Sequence, residues 1–319
     1  MKINNNLKVI EKMAQYGYGE ANGKVILIGE HAVTFGQPAI AIPFTSGKVK
    51  ATIVSLEQHA TSEIDSDVYR GSLAEAPEHL KAVVSRFIER HNVTQPIKIT
   101  TETNLPPSRG VGSSAAFAVA FVRASYDFIK QPLSDETLIA ETNWSEQIAH
   151  GKPSGIDAQT IVSNKPVWFK QGSVTTLKPL DLDGYMVVID TGILGSTKQS
   201  VEDVHRLCAS EEKYLQYIKE IGKLVYDARN AIEQHQFEKL APAFNWCQKY
   251  LKLLTVSHEK IETILEESNK LGAVAGKLTG SGRGGSMIVL AKTLEIAKKI
   301  EQSAQKLGAQ HTWIENLGG

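Results

Sequence analysis

Cysteine is scarce in this chain of 319 residues, which contains only Cys208 and Cys247. The two lie far apart in the sequence and form no C-x-x-C pair. A disulfide framework needs several cysteines at characteristic spacings, and a structural zinc site needs clustered ligands. Neither feature is therefore expected.

Net charge and long apolar runs are also lacking. Lys and Arg together number 35, as do Asp and Glu, so the formal net charge is zero. Without a broad positive field, neither nucleic acid nor an anionic membrane is expected as a partner, and any phosphate recognition must be local. No stretch reaches the ~18 uninterrupted apolar residues of a membrane span. Residues 1–15 contain no apolar run of signal-peptide length, which predicts a cytoplasmic protein.

The remaining composition is that of an ordinary globular protein, with 42% hydrophobic and 22% charged residues. The length predicts two domains, which we place at residues 1–185 and 186–319. Alternating or short apolar runs predict strands, and apolar positions three and four apart predict helices, so the fold class is α+β. The strands are expected at 25–28, 39–42, 48–54, 97–103, 167–169, 185–190 and 287–290 and near 312; the helices at 78–91, 113–129, 134–151 and 294–307, with helical periodicity across 199–269.

A Pro- and Gly-rich loop at residues 105–112 runs into an apolar helix that begins with Ser113 and Ser114. Glycines let the backbone approach an anion closely, and the unpaired amides of the first helical turn point toward it. The pattern is typical of a phosphate cradle, although an ordinary capped helix after a loop has the same appearance. The chain contains no G-x-x-x-x-G-K-[ST] sequence, so the loop is not a Walker A motif.

A G-x-G-x-x-G sequence occurs at residues 280–285 and leads into a predicted strand. A dinucleotide site needs the order strand, glycines, helix, so we reject that function here. A tight hairpin turn and a glycine loop that approaches a ligand both remain open.

Two further segments place polar groups beside apolar ones. In residues 23–33, Lys24 leads into the apolar run and Glu30 and His31 follow it. In residues 146–157, Glu146 stands near the end of a helix and Asp157 follows a turn-rich loop. Phosphoryl transfer requires a metal ligand and a base, and two carboxylates spaced in this way are candidates for them. Taken singly, each of these residues is equally typical of a solvated surface.

Taken together, the segments resemble the signature motifs of the GHMP family of small-molecule kinases. The match covers residues 23–33, 106–116 (with Val111 at a position usually occupied by Leu), 150–157, 190–198 and 277–285, in the family's order. The resemblance implies a two-domain fold. Its N-terminal domain resembles domain 2 of ribosomal protein S5, its C-terminal domain is ferredoxin-like, and the substrates bind between them.

The resemblance also implies roles for individual residues. ATP would be a co-substrate, Mg²⁺ the cofactor and a small-molecule alcohol the acceptor. Asp157 would accept or orient the hydroxyl proton, and Lys24 would stabilise the attacking oxygen and the transferred phosphoryl group. Glu30, His31 and Thr191 would bind the acceptor, and Ser114 and Glu146 would bind the metal. The ATP phosphates would contact Ser108, Arg109, Gly110, Val111, Gly112, Ser113 and Ser114.

Several alternatives stay open at this level. Other members of the family phosphorylate different alcohols, including sugars. A catalytically silent regulator of the same fold would bind a metabolite without turnover, but it is expected to have lost the base or the metal ligand. A homodimer is expected by family analogy alone.

Overall fold

The computed structural model describes residues 15–107, 109–151 and 155–318 of the chain. Strands and helices are mixed throughout, which confirms the α+β prediction. The strands are β1 (Tyr16–Ile28), β2 (Ala39–Ser55), β3 (Glu63–Asp65), β4 (Arg70–Ser72), β5 (Ile97–Thr103), β6 (Val167–Lys170), β7 (Ser173–Thr176), β8 (Tyr185–Asp190), β9 (Ala275–Thr279), β10 (Ser286–Ala291) and β11 (His311–Asn316). The helices are α1 (Glu78–Arg90), α2 (Ser113–Phe128), α3 (Asp135–His150), α4 (Ile156–Ser163), α5 (Thr197–Ser210), α6 (Glu212–Glu233), α7 (Leu240–Leu253), α8 (Glu259–Lys270) and α9 (Leu294–Lys306).

The chain forms two compact units that are not contiguous in sequence. As far as their residues are described, the first comprises Met1–Ala21, Lys48–Leu105 and Ser114–Pro153, and the second comprises Asn22–Gly47, Pro106–Ser113 and Ser154–Gly319. Segments 22–47, 106–113 and 154–185 thus group with the C-terminal half of the chain. A family domain boundary near residue 185 stays a prediction, because grouping by contacts is a different criterion from the extent of a family domain.

In the first unit, β3 pairs in parallel with β5 and antiparallel with β4, and residues 49–55 of β2 pair antiparallel with β5. The apolar face predicted for α1 is buried through Leu80, Val83, Val84 and Phe87. Helix α2 is rich in buried alanine, and β1 lies directly against it: a Cβ on Gly19 would stand 2.2 Å from the carbonyl oxygen of Ala120. Small residues on both elements permit this close approach.

In the second unit, β11, β8, β10 and β9 form an antiparallel sheet in that order. Every residue of β9 and β10 is buried. The sequence of β10 is almost entirely apolar, whereas β9 buries Lys277 and Thr279 among apolar residues. Helix α7 packs on β9 and on α6, and α9 packs on β8. No helix in the described parts of the chain has both the length and the apolar character needed to cross a lipid bilayer.

One local prediction was wrong. Residues 39–42 and 48–54 are not separate strands but parts of the single strand β2.

Asp157 lies in the first turn of α4, and Gly155 is the N-cap of that helix with φ 81°. Residues 152–154 of the turn-rich loop predicted before Asp157 lie outside the described residues.

Candidate active site

The predicted phosphate loop ends at the N-terminus of α2, where the first-turn amides have no partner within the helix. Gly110 and Gly112 have φ values of 81° and 73°, a region that favours glycine. Ser108 lies outside the described residues. Within the second unit the loop lies against the late glycine turn, since a Cβ on Gly110 would stand 3.4 Å from the Thr279 carbonyl oxygen. The late turn connects β9 to β10, so the hairpin prediction is confirmed and the turn also approaches the loop.

Lys24 is fixed against the same loop. Its backbone amide donates to the carbonyl oxygen of Val111 at 3.0 Å, and a Cβ on Gly112 would stand 2.8 Å from Lys24 Cγ. Any side chain at position 112 would therefore displace the lysine. The alkyl part of Lys24 is buried, so its ammonium group has few alternative positions.

Lys24 and Asp157 form an ion pair in the second unit. Lys24 Nζ lies 3.1 Å from Asp157 Oδ1, and the side chains are 5% and 30% exposed. Strand β1 carries the lysine, and the first turn of α4 carries the aspartate. A buried cation beside a partly exposed carboxylate can orient a hydroxyl group and stabilise negative charge as it develops on that group.

Glu30 lies just after the end of β1 and is almost fully buried. Its Oε1 accepts a hydrogen bond from Lys277 Nζ, on β9, and both side chains are inaccessible to solvent. Burial raises the pKa of the Glu30 carboxyl group, and the nearby Lys277 and Lys24 charges oppose that shift. Glu30 Oε2 is buried and has no hydrogen-bond partner among the residues that the structure describes.

His31 follows Glu30 with a positive φ of 57°. Burial lowers the pKa of its imidazole to about 4, so the ring is neutral near pH 7. Nε2 lies 3.0 Å from the carbonyl oxygen of Ser281. Because a carbonyl oxygen only accepts, Nε2 carries the proton, and Nδ1 is left as an acceptor. That Nδ1 is also buried and has no partner in the described part of the chain.

In the first unit, Ser114 and Glu146 lie side by side. Ser114 Oγ in the first turn of α2 donates to Glu146 Oε1 in the last turn of α3 at 2.6 Å. A hydroxyl and a carboxylate are hard oxygen donors of the kind that Mg²⁺ prefers, and Mg²⁺ commonly takes only one or two ligands from protein. The described residues contain no group of three or more His, Cys, Asp or Glu that suits a metal. The pair therefore fits a metal that substrate phosphates also coordinate.

Arg109 and Thr191 complete the predicted set in the second unit. Arg109 Nε lies 3.5 Å from Oδ1 of the buried Asp190, whereas one terminal nitrogen of Arg109 is buried without a partner among the described residues. A guanidinium fixed at one end in this way is suited to a phosphate. Thr191 donates through its backbone amide and its hydroxyl to the carbonyl oxygen of Gly285, so it supports the late turn.

The structure thus groups the predicted residues into two sets. Lys24, Glu30, His31, Asp157, Thr191 and residues 109–113 lie in the second unit, and Ser114 and Glu146 lie in the first. Asp190 and Lys277 were not predicted as site residues. The sequence feature that could have identified them is a charged residue in a buried strand: Asp190 ends β8, and Lys277 lies within β9. A buried charge requires a specific partner.

Comparison with known proteins identifies two family domains in the chain. The model of the "GHMP kinases N terminal domain" matches residues 78–164, and that of "GHMP kinases C terminal" matches residues 228–310. Both domains that the sequence motifs implied are therefore present.

Individual relatives match over nearly the whole chain. The mevalonate kinase of Aeropyrum pernix is 30% identical over 300 residues, which cover 91% of this chain and 93% of that protein. The mevalonate kinase of methicillin-resistant Staphylococcus aureus is 58% identical in sequence. Its crystal structure matches with a TM-score of 0.81, covering 96% of this chain and 100% of that one. The L. major mevalonate kinase, solved in complex with R-mevalonate, is 26% identical with a TM-score of 0.82, covering 93% of this chain and 94% of that one.

Proposed function

The chain belongs to the GHMP kinase family, and we propose that it transfers the γ-phosphoryl group of ATP to the 5-hydroxyl of mevalonate, giving 5-phosphomevalonate and ADP. The observation that carries the proposal is the Lys24–Asp157 ion pair, found in a chain that is similar over its whole length to mevalonate kinases. The pair supports the chemistry of an alcohol kinase, and the similarity to mevalonate kinases indicates which alcohol is the acceptor. This reaction belongs to the mevalonate route to isoprenoids.

We assign the acceptor side of the reaction to five residues of the second unit. A primary alcohol is almost fully protonated near pH 7, so a carboxylate alone is a weak base toward it. Asp157 receives or orients the hydroxyl proton, and the ammonium of Lys24 stabilises the oxygen as negative charge develops. The free acceptor atoms of Glu30 and His31 bind hydroxyl groups of the acceptor. Thr191, fixed on Gly285, remains a weaker candidate for the same task.

We assign the ATP phosphates to residues 108–114 and the metal to Ser114 and Glu146. The backbone amides at the start of α2 and the positive end of its dipole attract the phosphates. Arg109, held by Asp190, supplies a guanidinium nitrogen that has no other partner in the part of the chain that the structure describes. When bound, Mg²⁺ neutralises charge on the β- and γ-phosphates. Ser114 and Glu146 present oxygen donors of the appropriate type.

The alternatives are not favoured. A silent regulator is expected to have lost the base or the metal ligand, but Lys24, Asp157, Ser114 and Glu146 are all present and paired. A phosphomevalonate or sugar acceptor has no support in the relatives described above, which are mevalonate kinases.

We further propose that the boundary between the two family domains lies near residue 185, that the protein is a homodimer and that it does not bind nucleic acid. Zero net charge supports the last point, and we expect no retention on heparin at low salt.

The direct test measures ADP release from Mg-ATP with mevalonate, phosphomevalonate, galactose, homoserine or no acceptor. We expect saturable turnover with mevalonate alone. Turnover with another member of the panel would replace the acceptor and keep the kinase chemistry. No turnover with any of them, from folded protein that binds ATP, would instead support the regulator.

The glycine at position 112 should be essential for turnover. Gly112→Ala places a Cβ 2.8 Å from Lys24 Cγ and should lower kcat by about tenfold or more, because the lysine must move. Gly172→Ala is the matched control, since Gly172 has a similar φ of 81° but an added Cβ there meets no atom within 4 Å. Both variants carry backbone strain from a positive φ, and Gly112→Ala should lose more thermal stability because its Cβ also meets Lys24. Equal activity of the two would contradict the proposed contact with Lys24.

The metal assignment predicts a specific effect of Glu146→Gln. Removing the charge should raise the Mg²⁺ concentration needed for half-maximal activity by about tenfold or more, because a neutral amide is a poorer ligand. Glu141→Gln is the control on the same helix, since Glu141 pairs with Arg86 and Arg90. A magnesium titration of steady-state turnover distinguishes the two. An unchanged requirement in Glu146→Gln would exclude metal ligation by this residue.

A further inference from the structure

Glu30 and His31, assigned above to acceptor binding, both form hydrogen bonds to residues that have no assigned role in the reaction. Each side chain is tied at one polar atom to a single short segment of the second unit, residues 277–281. Glu30 Oε1 accepts from Lys277 Nζ, and His31 Nε2 donates to the Ser281 carbonyl oxygen at 3.0 Å. The segment thus orients two neighbouring side chains: Lys277 of β9 orients Glu30, and Ser281 of the following turn orients His31.

The opposite atoms of the two side chains are free acceptors. Glu30 Oε2 and His31 Nδ1 are both buried and have no partner among the described residues. A buried acceptor without a donor is costly, so such atoms are rare unless a ligand or water serves them. Two adjacent acceptors fit a ligand that offers hydroxyl groups.

The charge state of Glu30 depends on its neighbours. Among the described residues, three titratable groups interact electrostatically with it: Lys277 from β9, Lys24 from β1 and the Cys247 thiol from α7. The thiol is neutral near pH 7, because burial raises its pKa to about 12. Lys277 also donates to the Leu278 carbonyl oxygen and lies over the Phe244 ring, so its ammonium has a fixed position. Lys277 is therefore the direct cationic partner of Glu30.

We propose that Lys277 is a positioning residue for acceptor binding: it orients the Glu30 carboxyl group through Oε1, so that Oε2 can accept a hydrogen bond from a hydroxyl of the acceptor. This inference rests on the proposed function, because it assumes that Glu30 contacts the acceptor. Lys277 itself contacts neither the acceptor nor ATP in this assignment. A buried ion pair that served stability alone would show the same distances, so the test must separate the two roles.

The first variant is Lys277→Met, which keeps an unbranched side chain, one heavy atom shorter, and removes its charge. The KM for mevalonate should rise by about 10- to 100-fold, as for the loss of a charged hydrogen bond. The kcat should stay within about threefold and the KM for ATP within about twofold, because neither depends on Glu30 in this assignment. Lys252→Met is the matched control, since Lys252 pairs with Glu262 at 2.9 Å on the exposed surface of the same unit. Its kinetic constants should equal those of the wild type.

The pH profile gives a readout that a structural role would not produce. The charge of Lys277 lowers the pKa of Glu30 against the effect of burial. In Lys277→Met the carboxyl group is therefore protonated at a higher pH than in the wild type. The rise in the KM for mevalonate as the pH falls should accordingly begin at a higher pH in this variant than in the wild type, which a comparison across pH 6–9 measures.

The double variant Glu30→Gln/Lys277→Met tests the proposal even if Lys277→Met alone does not fold. It replaces the ion pair by two neutral side chains of similar size, which is often tolerated in a core. We expect its thermal stability to recover relative to Lys277→Met, whereas the KM for mevalonate stays high and does not depend on pH. Recovery of both stability and KM would show that the pair is structural and would overturn the proposal.

The outcomes also separate this proposal from the proposed function. An active wild type with an unchanged KM in Lys277→Met would overturn the positioning role alone. A wild type that neither phosphorylates nor binds mevalonate, measured by calorimetry, would overturn both.

Discussion

Asp157→Asn should lower kcat by about 10²- to 10⁴-fold, the range that general base catalysis contributes. Asparagine keeps the size of the side chain and its place in the first turn of α4, but it cannot accept a proton. The affinity for ATP should stay nearly intact, because the phosphates are assigned to residues 108–114. Steady-state kinetics with both substrates, together with ATP binding at equilibrium, measure these effects.

The control for this variant is Asp183→Asn. Asp183 is an exposed carboxylate of the same unit that pairs with Lys292 at 2.9 Å, so the substitution removes one charge without touching the site. Its kinetic constants should match those of the wild type. Wild-type turnover in Asp157→Asn would remove Asp157 from the reaction and leave the proposed chemistry without a base.

Lys24→Met should reduce kcat by about 10³-fold, within the range found when one preorganised stabiliser of developing charge is removed. Methionine keeps the unbranched stem that packs against Gly112 and loses the ammonium that lies 3.1 Å from Asp157. The KM for mevalonate should change far less than kcat, since the charge matters mainly in the transition state. Single-turnover measurements with saturating substrates isolate the chemical step.

The double variant Lys24→Met/Asp157→Asn tests whether the two residues act together. Groups that act as a unit in one step give losses that do not multiply, so the double variant should be about as slow as the slower single variant. Losses that multiply would indicate independent roles and would contradict the catalytic pair. Thermal unfolding of all three variants checks that the fold is retained.

Much of the fold could be predicted because local patterns determine local structure. The face of Leu80, Val83, Val84 and Phe87 predicted α1, and the apolar run of β8 predicted residues 185–190 with the bounds found in the structure. Ser134 caps α3 as expected, accepting from the amide of Thr137. These elements depend on periodicity and capping, which are readable within about a dozen residues.

The error in β2 arose where strand pairing overrode local signals. Pro43 and Gly47 stand between the two predicted strands, yet β2 passes through both. They fall between the stretch that pairs with β6, residues 39–41, and the stretch that pairs with β5, residues 49–55. A residue that disfavours strands therefore removes no hydrogen bond from the ladders to β5 and β6.

The sequence by itself determined which chemical groups the site contains and in which order they follow one another. Lys24, the phosphate loop, Glu146 and Asp157 stand in short motifs, because close backbone approach and helix capping require particular residues at fixed spacing. Only the tertiary structure decided which partner each charged group has. Lys277 is 247 residues from Glu30 in the sequence, and Asp190 is 81 residues from Arg109, so no local pattern connects either pair. Such pairs form because burial makes an unpaired charge costly, and the folded chain, not its periodicity, brings their partners within reach.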